Sequence, residues 1–437
     1  MFYKVITVAF ATVSLGMLSS QSIAANSTKQ IMQQWTLESS IQQAMMVAPE
    51  LKKSVTTIGA SEADMQMSSL WPDPSIEFRV DNKLGKDDGR GGYDLTDVTI
   101  SQAIPISRLA NQKLSAESRF KSTQSLQKHS QLLVQNRVSK VFHELQLASA
   151  NMALMERRLV FASQLGKAVN NKAQGVVVRY LTPLETMRIS VIREEANQAV
   201  SNAEGKYFEA LNEFTKLLGL DAEADISVAP LRSIKKVPSI DFLSSLQETH
   251  PQLVAQQQRL QSAIADIKVA RGSQLADPVV SLSLSEDSFS SGRQDVYALM
   301  LNVQIPLQDR KSSAVSKAGF KANEQRIELQ RLKRELQINL KRSVTHANHI
   351  VEQASKFKQK ILKPAKKILD LTNKAFTSGE LNMLSLVDAT NTYFNSRIRY
   401  LDLLYQAHAE LADIHLFAGH LITNGDIQYN ATTKDGL

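Results

Sequence analysis

The sequence has no cysteine and little glycine or proline, and these shortages narrow its structural class. Its 437 residues include 17 glycines and 11 prolines, while 43% are apolar and 22% are charged. Without cysteine, the chain has no disulfide framework, no thiolate zinc site and no N-terminal cysteine for lipid attachment. Few helix breakers among many charged and apolar residues favour long helices over disorder.

Long hydrophobic runs are also missing beyond the N-terminus. There, Lys4 precedes an uncharged apolar run over 5–18, and small residues follow at Ser22 and Ala24. This pattern predicts a secretory signal peptide over 1–24, cleaved near Ala24, since the run is shorter than the roughly 20 residues of a membrane anchor. A mature protein of this composition could enter a membrane only as a β-barrel.

The net charge of +8 invites comparison with nucleic-acid-binding proteins, because residues 307–367 are visibly basic. That stretch has no interleaved aromatic residues, and the chain is predicted to be exported. We therefore interpret it as a solvated helix face of mixed Lys, Arg and Glu, with no nucleic-acid partner.

The first half of the chain changes periodicity several times. Helical spacing over 35–70, with a break at Pro49, predicts one helix or two short ones. Alternating apolar and charged residues predict a strand over about 75–83, and a glycine-rich segment leads to a second strand over about 93–104. The apolar residues of the second strand change phase, which predicts a bulge or a strand boundary near Asp97.

A very long helix follows the strands. Residues 106–165 contain neither glycine nor proline, and a helix of that length reaches about 90 Å at 1.5 Å per residue, which implies coiled-coil packing. We predict a hairpin tip over about 173–184, around Gly175, and a return helix from about Pro183 to Leu218. Gly219 closes that helix.

The second half repeats the first at a nearly constant shift. A linker over 220–238, with a short strand at 226–228, separates a first repeat over 35–219 from a second over 239–420. The matching residues are Pro49 and Pro251, Asp73-Pro74 and Asp277-Pro278, Ile104-Pro105 and Ile305-Pro306, and Asn171-Lys172-Ala173 and Asn373-Lys374-Ala375. Matches in the same order at the same junctions indicate a duplication.

The second repeat carries the same predicted elements. Its strands lie at about 279–286 and 295–305, and its tip at about 375–388. Its long helix is interrupted only at Pro364, which should kink it at the level of the linker. Residues 421–437 form a C-terminal tail.

Each repeat thus supplies two amphipathic strands, of a length that suits a transmembrane barrel. Four strands cannot close a barrel, so copies must combine, a dimer giving eight strands and a trimer twelve. The helices are too long and polar for a bilayer, so we expect them to project into the periplasm as a coiled-coil tube. The alternative is a pair of ordinary amphipathic hairpins on a soluble sheet.

This organisation resembles the outer-membrane factors of tripartite efflux pumps and type I secretion, the TolC-like family. The resemblance rests on the duplicated layout, the Asp-Pro before each first strand, the strand ends Gln102-Ala103-Ile104-Pro105 and Gln304-Ile305-Pro306, and Gly379 with Asp388-Ala389-Thr390. It implies a mainly α fold with a homotrimeric 12-stranded barrel, an α-helical barrel and a periplasmic mouth closed at rest. The residues Arg108, Asn111 and Lys113 after a strand end are closer to the heavy-metal (Czc/Cus-type) branch.

The resemblance also implies functional residues. Asp388 matches an acidic residue that rings the constricted mouth in relatives, Ser385 stands where some relatives have a second acid, and Glu185 is the candidate lumen acid of the other tip. A ring of such acids would attract cations, whereas the alternative is a solvated first-turn acid favoured by the helix dipole. The residues expected to dock an adaptor at the tips are Gly175, Val176, Leu181, Gly379, Leu381 and Leu384.

Catalytic and metal-binding motifs are not apparent. His346 and His349 have a spacing that could hold a metal, and His408, His415 and His420 lie near acids, but two imidazoles alone do not make a site. Met65, Met67, Met152 and Met155 are interpreted as core filling. GxSxG, phosphate-loop and HExxH motifs are absent. We predict no cofactor, no bound metal and no enzyme activity.

The predicted function is a passive exit duct in the bacterial outer membrane, extending into the periplasm. Its partners would be two further copies of the chain, a periplasmic adaptor, an inner-membrane pump and outer-membrane lipid. The cargo would be heavy-metal cations or small toxic compounds. The alternatives are a type I protein secretion duct and a non-conducting trimeric scaffold.

Overall fold

A computed structural model describes residues 34–81, 95–170, 183–221, 226–274, 276–289, 292–305 and 310–421. The predicted signal peptide lies outside the described residues. So do Gly175, Val176 and Leu181 of the first tip, and residues 422–437 of the predicted tail.

The first half contains two strands of a sheet between four helices. Its elements are β1 (Gln34–Trp35), α1 (Leu37–Val47), α2 (Pro49–Met67), β2 (Ser75–Asp81), β3 (Leu95–Ala103), α3 (Leu109–Asn170) and α4 (Pro183–Leu218). The predicted break at Pro49 is confirmed, because this proline occupies the first turn of α2, where its missing N–H costs nothing. Thr36 and Ser39 begin α1 with a reciprocal capping box.

The second half has the same order of elements, except that its long helix is divided into two. Its elements are β4 (Ser227–Val228), α5 (Ile240–Gln247), α6 (Pro251–Gly272), β5 (Val279–Phe289), β6 (Gly292–Asn302), the two parts of the long helix, α7 (Arg310–Phe357) and α8 (Lys363–Thr377), and α9 (Met383–Ala418). Helices α4 and α9 each contain 36 residues. Each ends on a glycine in the left-handed region, Gly219 with φ 63° and Gly419 with φ 75°, and these glycines lie 200 positions apart.

Pro364 disturbs the second long helix. The ring of a proline clashes with the carbonyl four residues earlier and supplies no N–H. The chain responds with a π-helical turn over Lys358–Leu362, directly before α8. The predicted position, at the level of the linker, is confirmed because Leu362 packs against Leu231 of the linker. The irregularity is a π-helical turn, a known way of accommodating a distortion in a helix.

The core is distributed along the seams between the long helices. Helix α3 packs against α4 and also against α9, and α9 packs against α7. One cluster joins Phe142 and Leu145 of α3 to Phe214 and Leu218 of α4. Trp35 meets Phe214 edge to face, with ring centroids 6.1 Å apart, and β1 pairs in parallel with β4. The linker strand that the sequence predicted at 226–228 is therefore confirmed, and it anchors the N-terminal segment.

The remaining four strands form an antiparallel sheet in the order β2-β3-β5-β6. Of the two alternatives near Asp97, the bulge is wrong, because every residue from Leu95 to Ala103 pairs one-to-one with β5, while the strand begins two residues earlier, at Leu95. The apparent change of phase arises because Leu95 begins the strand at the opposite parity to Val98 and Ile100.

The hairpin between β5 and β6 is longer than its composition predicts. The ladder continues through the Ser/Gly-rich stretch to the pair Phe289 and Gly292, whereas the predicted strands stop at about 286 and begin again at about 295. Backbone pairing across the hairpin overrides the turn propensity of these residues.

The two faces of the sheet have opposite chemistry, and the apolar one is exposed. The register aligns Ile76, Ile100, Leu282 and Leu299 in one row across all four strands. Their exposed fractions are 60%, 49%, 57% and 77%. On the other face, Thr99, Ser281 and Ser283 are at most 8% exposed. This arrangement is the reverse of a sheet that packs on a soluble core.

Helical membrane spans are not found in the described part of the chain, where no helix is both long enough and apolar enough to cross a bilayer.

Candidate functional site

The tip between α8 and α9 is built on Gly379. This residue has φ 84°, a conformation that costs a residue with a Cβ roughly 1–2 kcal/mol. The N–H of Glu380 binds the carbonyl of Ala375 at 2.8 Å, and the N–H of Gly379 binds that of Phe376 at 3.1 Å. These bonds satisfy the last carbonyls of α8. No atom lies within 4 Å of the position of a Cβ on Gly379, so the backbone angle alone requires glycine there.

Asn382 begins the next helix. Its Oδ1 accepts a hydrogen bond from the backbone N–H of Ser385 at 3.0 Å and another from the Ser385 hydroxyl at 2.9 Å. This is an N-cap of the kind that asparagine favours. Ser385, predicted as a gate residue, is thus part of the cap of α9. Asp388 lies one turn further along the helix with its side chain exposed.

A compact apolar cluster fixes the position of this tip. It contains Ile189 of α4, Leu369 of α8, and Met383, Leu386 and Ala389 of α9. Helix α3 is tied to the same region because Arg158 donates a hydrogen bond to Asn391 Oδ1 at 2.9 Å. Asp388 is therefore held on a rigid, packed helix turn.

Through Ile189 on α4, the same cluster places Glu185 of the first repeat at the same end of the bundle as the described tip of the second repeat. Glu185 lies half-buried in the first turn of α4, just after Pro183. The neighbouring apolar side chains Leu184 and Met187 are 60% and 67% exposed, and Leu384 on α9 is 62% exposed. The side chain of Leu381 is 37% exposed. Apolar side chains left in water beside acids are typical of a surface that another molecule covers.

The histidines that the sequence singled out do not converge on one metal site, although the rings of His415 and His420 stack with centroids 6.1 Å apart. His346 Nδ1 lies 2.8 Å from Glu410 Oε1, while His408 is buried elsewhere against His143. In the part of the chain that the structure describes, no three metal-ligating side chains gather at one point.

A groove between α3, α4 and α9 was not foreseen from the sequence. It has a volume of about 830 Å³ and includes Asn151 and Met155 from α3, Lys206 from α4 and Asp402 from α9. Burial raises the pKa of Asp402, and the nearby Lys206 opposes this rise. The groove combines three helices that are far apart in sequence, so periodicity within any one of them could not reveal it.

Comparison with known proteins gives a family for the second half. Residues 242–420 match the family model described as "Outer membrane efflux protein". The cobalt-zinc-cadmium resistance protein CzcC of Cupriavidus metallidurans is 23% identical over 245 residues, which cover 55% of this chain and 57% of that protein. The chain therefore matches little more than half the length of this relative.

Solved structures show that the fold extends over nearly the whole chain. The CusC structure, which concerns transmembrane channel formation, has a TM-score of 0.71 at 16% identity and covers 88% of this chain and 92% of its own. The open state of the MtrE outer membrane channel of Neisseria gonorrhoeae has a TM-score of 0.72 at 17% identity, with 91% of each chain covered. At these identities the likeness concerns the fold.

The family match and the fold agree with each other and with the resemblance drawn from the sequence. The predicted location, the outer membrane with an extension into the periplasm, is confirmed by them. Residues 242–420 thus match the outer membrane efflux protein family, and the chain as a whole has the fold of the solved outer membrane channels.

Proposed function

We propose that this protein is the outer-membrane exit duct of a tripartite efflux system. The observation that carries the proposal is the inverted sheet, in which Ile76 and Leu299 are exposed while Thr99 and Ser283 are buried. Burying apolar area contributes about 25 cal/mol per Å², so a sheet with this arrangement is stabilised by lipid on its apolar face and by a polar interior on the other.

The duct requires several copies of the chain. Within the described residues, β2 and β6 each have a partner on one side only. Open edges of this kind must be paired before a sheet can stand in a membrane, because unsatisfied backbone groups there cost several kcal/mol each. We propose that three copies pair β6 with β2 of the next chain to form a 12-stranded barrel. The number of strands is taken from the TolC-like resemblance.

The helices would continue the duct as an α-helical barrel. Helix α3 alone contains 62 residues, which corresponds to about 90 Å. The tips would then lie far from the membrane, where a periplasmic adaptor and an inner-membrane pump could reach them. The exposed Leu184, Met187 and Leu384 provide the apolar surface on which an adaptor would dock, together with the predicted tip residues around Gly175 and Gly379.

The mouth of the duct would be controlled at the same tips. In a threefold assembly, Asp388 would place three like charges near the axis, with Glu185 as a second candidate acid. Rings of carboxylates favour cations in a pore. Ser385, which is engaged by Asn382, adds no charge, so the gate would rest mainly on Asp388.

The cargo is proposed from the relative that confers resistance to cobalt, zinc and cadmium. We propose divalent metal cations as the substrate class, with small toxic compounds as the alternative. Energy would come from the pump, because the sequence has no nucleotide-binding motif.

Growth of the source bacterium without this protein would test the cargo. Cells that lack it should become hypersensitive to zinc, cobalt or cadmium, and the wild-type protein should restore resistance. Unchanged metal resistance together with loss of a secreted protein would support a type I secretion duct instead. Unchanged metal resistance, unchanged secretion and no conductance in lipid bilayers would support a non-conducting scaffold.

A further inference from the structure

Two buried imidazoles stack at the centre of the helical region. His143 on α3 and His408 on α9 have ring centroids 4.1 Å apart and planes inclined by 25°. Both side chains are buried, at the seam where α3 packs against α9. Neither residue belongs to the tip or to the sheet, so the proposed transport role does not explain the pair.

Hydrogen bonds define which nitrogen of each ring is the donor. Gln146 donates its Nε2–H to the carbonyl of Ala229 at 2.7 Å, which turns its Oε1 toward His143 Nδ1 at 2.8 Å. His143 therefore donates from Nδ1. His408 donates its Nε2–H to the carbonyl of Arg232 at 2.8 Å. Each neutral imidazole thus uses its single N–H for an acceptor.

These bonds reach the linker between the two repeats, directly from His408 and through Gln146 from His143. The acceptors at residues 229 and 232 lie on either side of Leu231, which is buried against Leu362 and Tyr400. Leu362 is the last residue of the π-helical turn before Pro364. The histidine pair therefore fixes the linker against the point where the second long helix is irregular.

Protonation opposes this arrangement. Burial lowers the pKa of His143 well below its ordinary value, and the neighbouring His408 lowers it further, against the hydrogen bond to Gln146. Burial also lowers the pKa of His408, while the bond to the Arg232 carbonyl opposes that shift. A second proton on either ring would place a charge in the buried seam, 4.1 Å from the other imidazole.

The elements that pack around the pair carry charged side chains of their own. Lys140 of α3 binds Asp413 of α9 at 2.6 Å, and Glu144 of α3 faces Tyr405 of α9. On the side of α7, His346 binds Glu410. The linker contributes the backbone carbonyl of Arg232, and at this level α4 packs Ala210 and Phe214 against Phe142.

We propose that His143 and His408 form an acid-sensitive latch, which holds the linker over residues 226–238 at neutral pH and releases it when the surroundings become acidic. The direction of the pH effect follows from the number of protons that each state binds, since acid favours the state that binds more of them. The latched state favours neutral rings, so a released state binds more protons below the ordinary histidine pKa of about 6.5. The ratio of latched to released protein should then fall by up to about tenfold per pH unit for each histidine.

Hydrogen–deuterium exchange of the full-length protein in detergent tests the latch directly. After correction for intrinsic exchange rates, linker amides should lose about tenfold or more of their protection between pH 7.5 and pH 5. The centre of α4, at 195–205, serves as the internal reference and should change much less. Size-exclusion chromatography at both pH values verifies that the assembly is unchanged.

Variants connect the effect to the two rings. The double variant His143→Gln/His408→Gln keeps amide donors for the two acceptors of the histidines, Gln146 Oε1 and the Arg232 carbonyl. Its new side chains cannot titrate, so the protection of its linker amides should be nearly independent of pH. The matched control His346→Gln removes a histidine outside the latch and should retain the wild-type response. The proposal is overturned if wild-type linker protection is the same at both pH values, or if the double variant still loses it on acidification. The wild-type titration decides on its own if the double variant does not fold.

Discussion

The end of α9 offers a quantitative test of the packing described above. Gly419 has φ 75°, and a Cβ placed there would lie 2.9 Å from Cδ2 and 3.0 Å from Cα of His250. Substitution of Gly419 by alanine therefore has two costs. The left-handed backbone costs roughly 1–2 kcal/mol, and the overlap with a side chain and a backbone atom costs about 1–3 kcal/mol more.

The overlap matters because His250 is itself well bonded. Its Nδ1 accepts the N–H of Gln252 at 3.1 Å and so caps α6, while its Nε2 donates to the carbonyl of Leu416 at 3.1 Å. Moving His250 to make room would weaken both bonds, each worth about 1 kcal/mol. We therefore expect Gly419→Ala to lower the free energy of unfolding by about 2–5 kcal/mol.

Two other glycines provide matched controls. Gly379→Ala has the same backbone cost at φ 84° but no atom within 4 Å of the new Cβ, so we expect a loss of only about 1–2 kcal/mol. Gly205→Ala lies inside α4 with open space around it, and should gain about 0.5–1 kcal/mol from helix propensity.

The assay is unfolding of each variant in detergent, followed by circular dichroism at 222 nm under identical conditions. The expected order of stability is Gly205→Ala above wild type, then Gly379→Ala, then Gly419→Ala. If Gly419→Ala were as stable as Gly379→Ala, the contact with His250 would not constrain the end of α9, and the steric argument would be refuted.

Three further predictions concern pH, the gate and the core. Burial lowers the pKa of His250 to about 4, so the free energy of unfolding should fall by up to about 3 kcal/mol as the pH drops from about 6.5 to about 4. The thermal midpoint of His250→Asn, which keeps a capping acceptor, should depend less on pH. An equally steep pH dependence in this variant would show that His250 does not cause the effect. Asp388→Ala should increase the sensitivity of cells to bulky antibiotics by relaxing the gate, whereas the control variant Glu380→Ala, at another exposed acid, should not. Unchanged sensitivity of Asp388→Ala at equal expression would count against a gating role. Phe214→Ala should lower the free energy of unfolding by about 3–5 kcal/mol, because Phe214 is fully buried between Trp35 and Phe142. A thermal midpoint close to that of wild type would show that this cluster does not hold the N-terminal segment.

The large elements could be predicted from the sequence because their signals are local. The long helices follow from the absence of helix breakers, while the break at Pro49 and the helix end at Gly219 follow from the backbone chemistry of those residues. The strands follow from alternation, and their pairing across the repeats explains why the apolar rows share one face.

Features that depend on contacts between distant segments could not be predicted. The phase at Leu95 suggested a bulge, but pairing with β5 imposes an unbroken register. The stacking of His143 on His408 joins residues 265 positions apart, and neither residue has a motif around it. At the tip, the sequence indicated Gly379 and Asp388. The role of Ser385 as the partner of Asn382 depends on the orientation of two side chains, for which the sequence has no separate signal.

The most direct test of the proposed duct is electrical conductance of the purified protein in planar lipid bilayers. We expect the wild-type protein to insert into the bilayer and to conduct ions with a preference for cations. The variant with Asp388→Asn and Glu185→Gln should have a higher conductance and a weaker preference for cations, because the carboxylates at the mouth are neutralised. A correctly assembled protein that forms no channel, in either the wild-type or the neutralised form, would contradict the central claim.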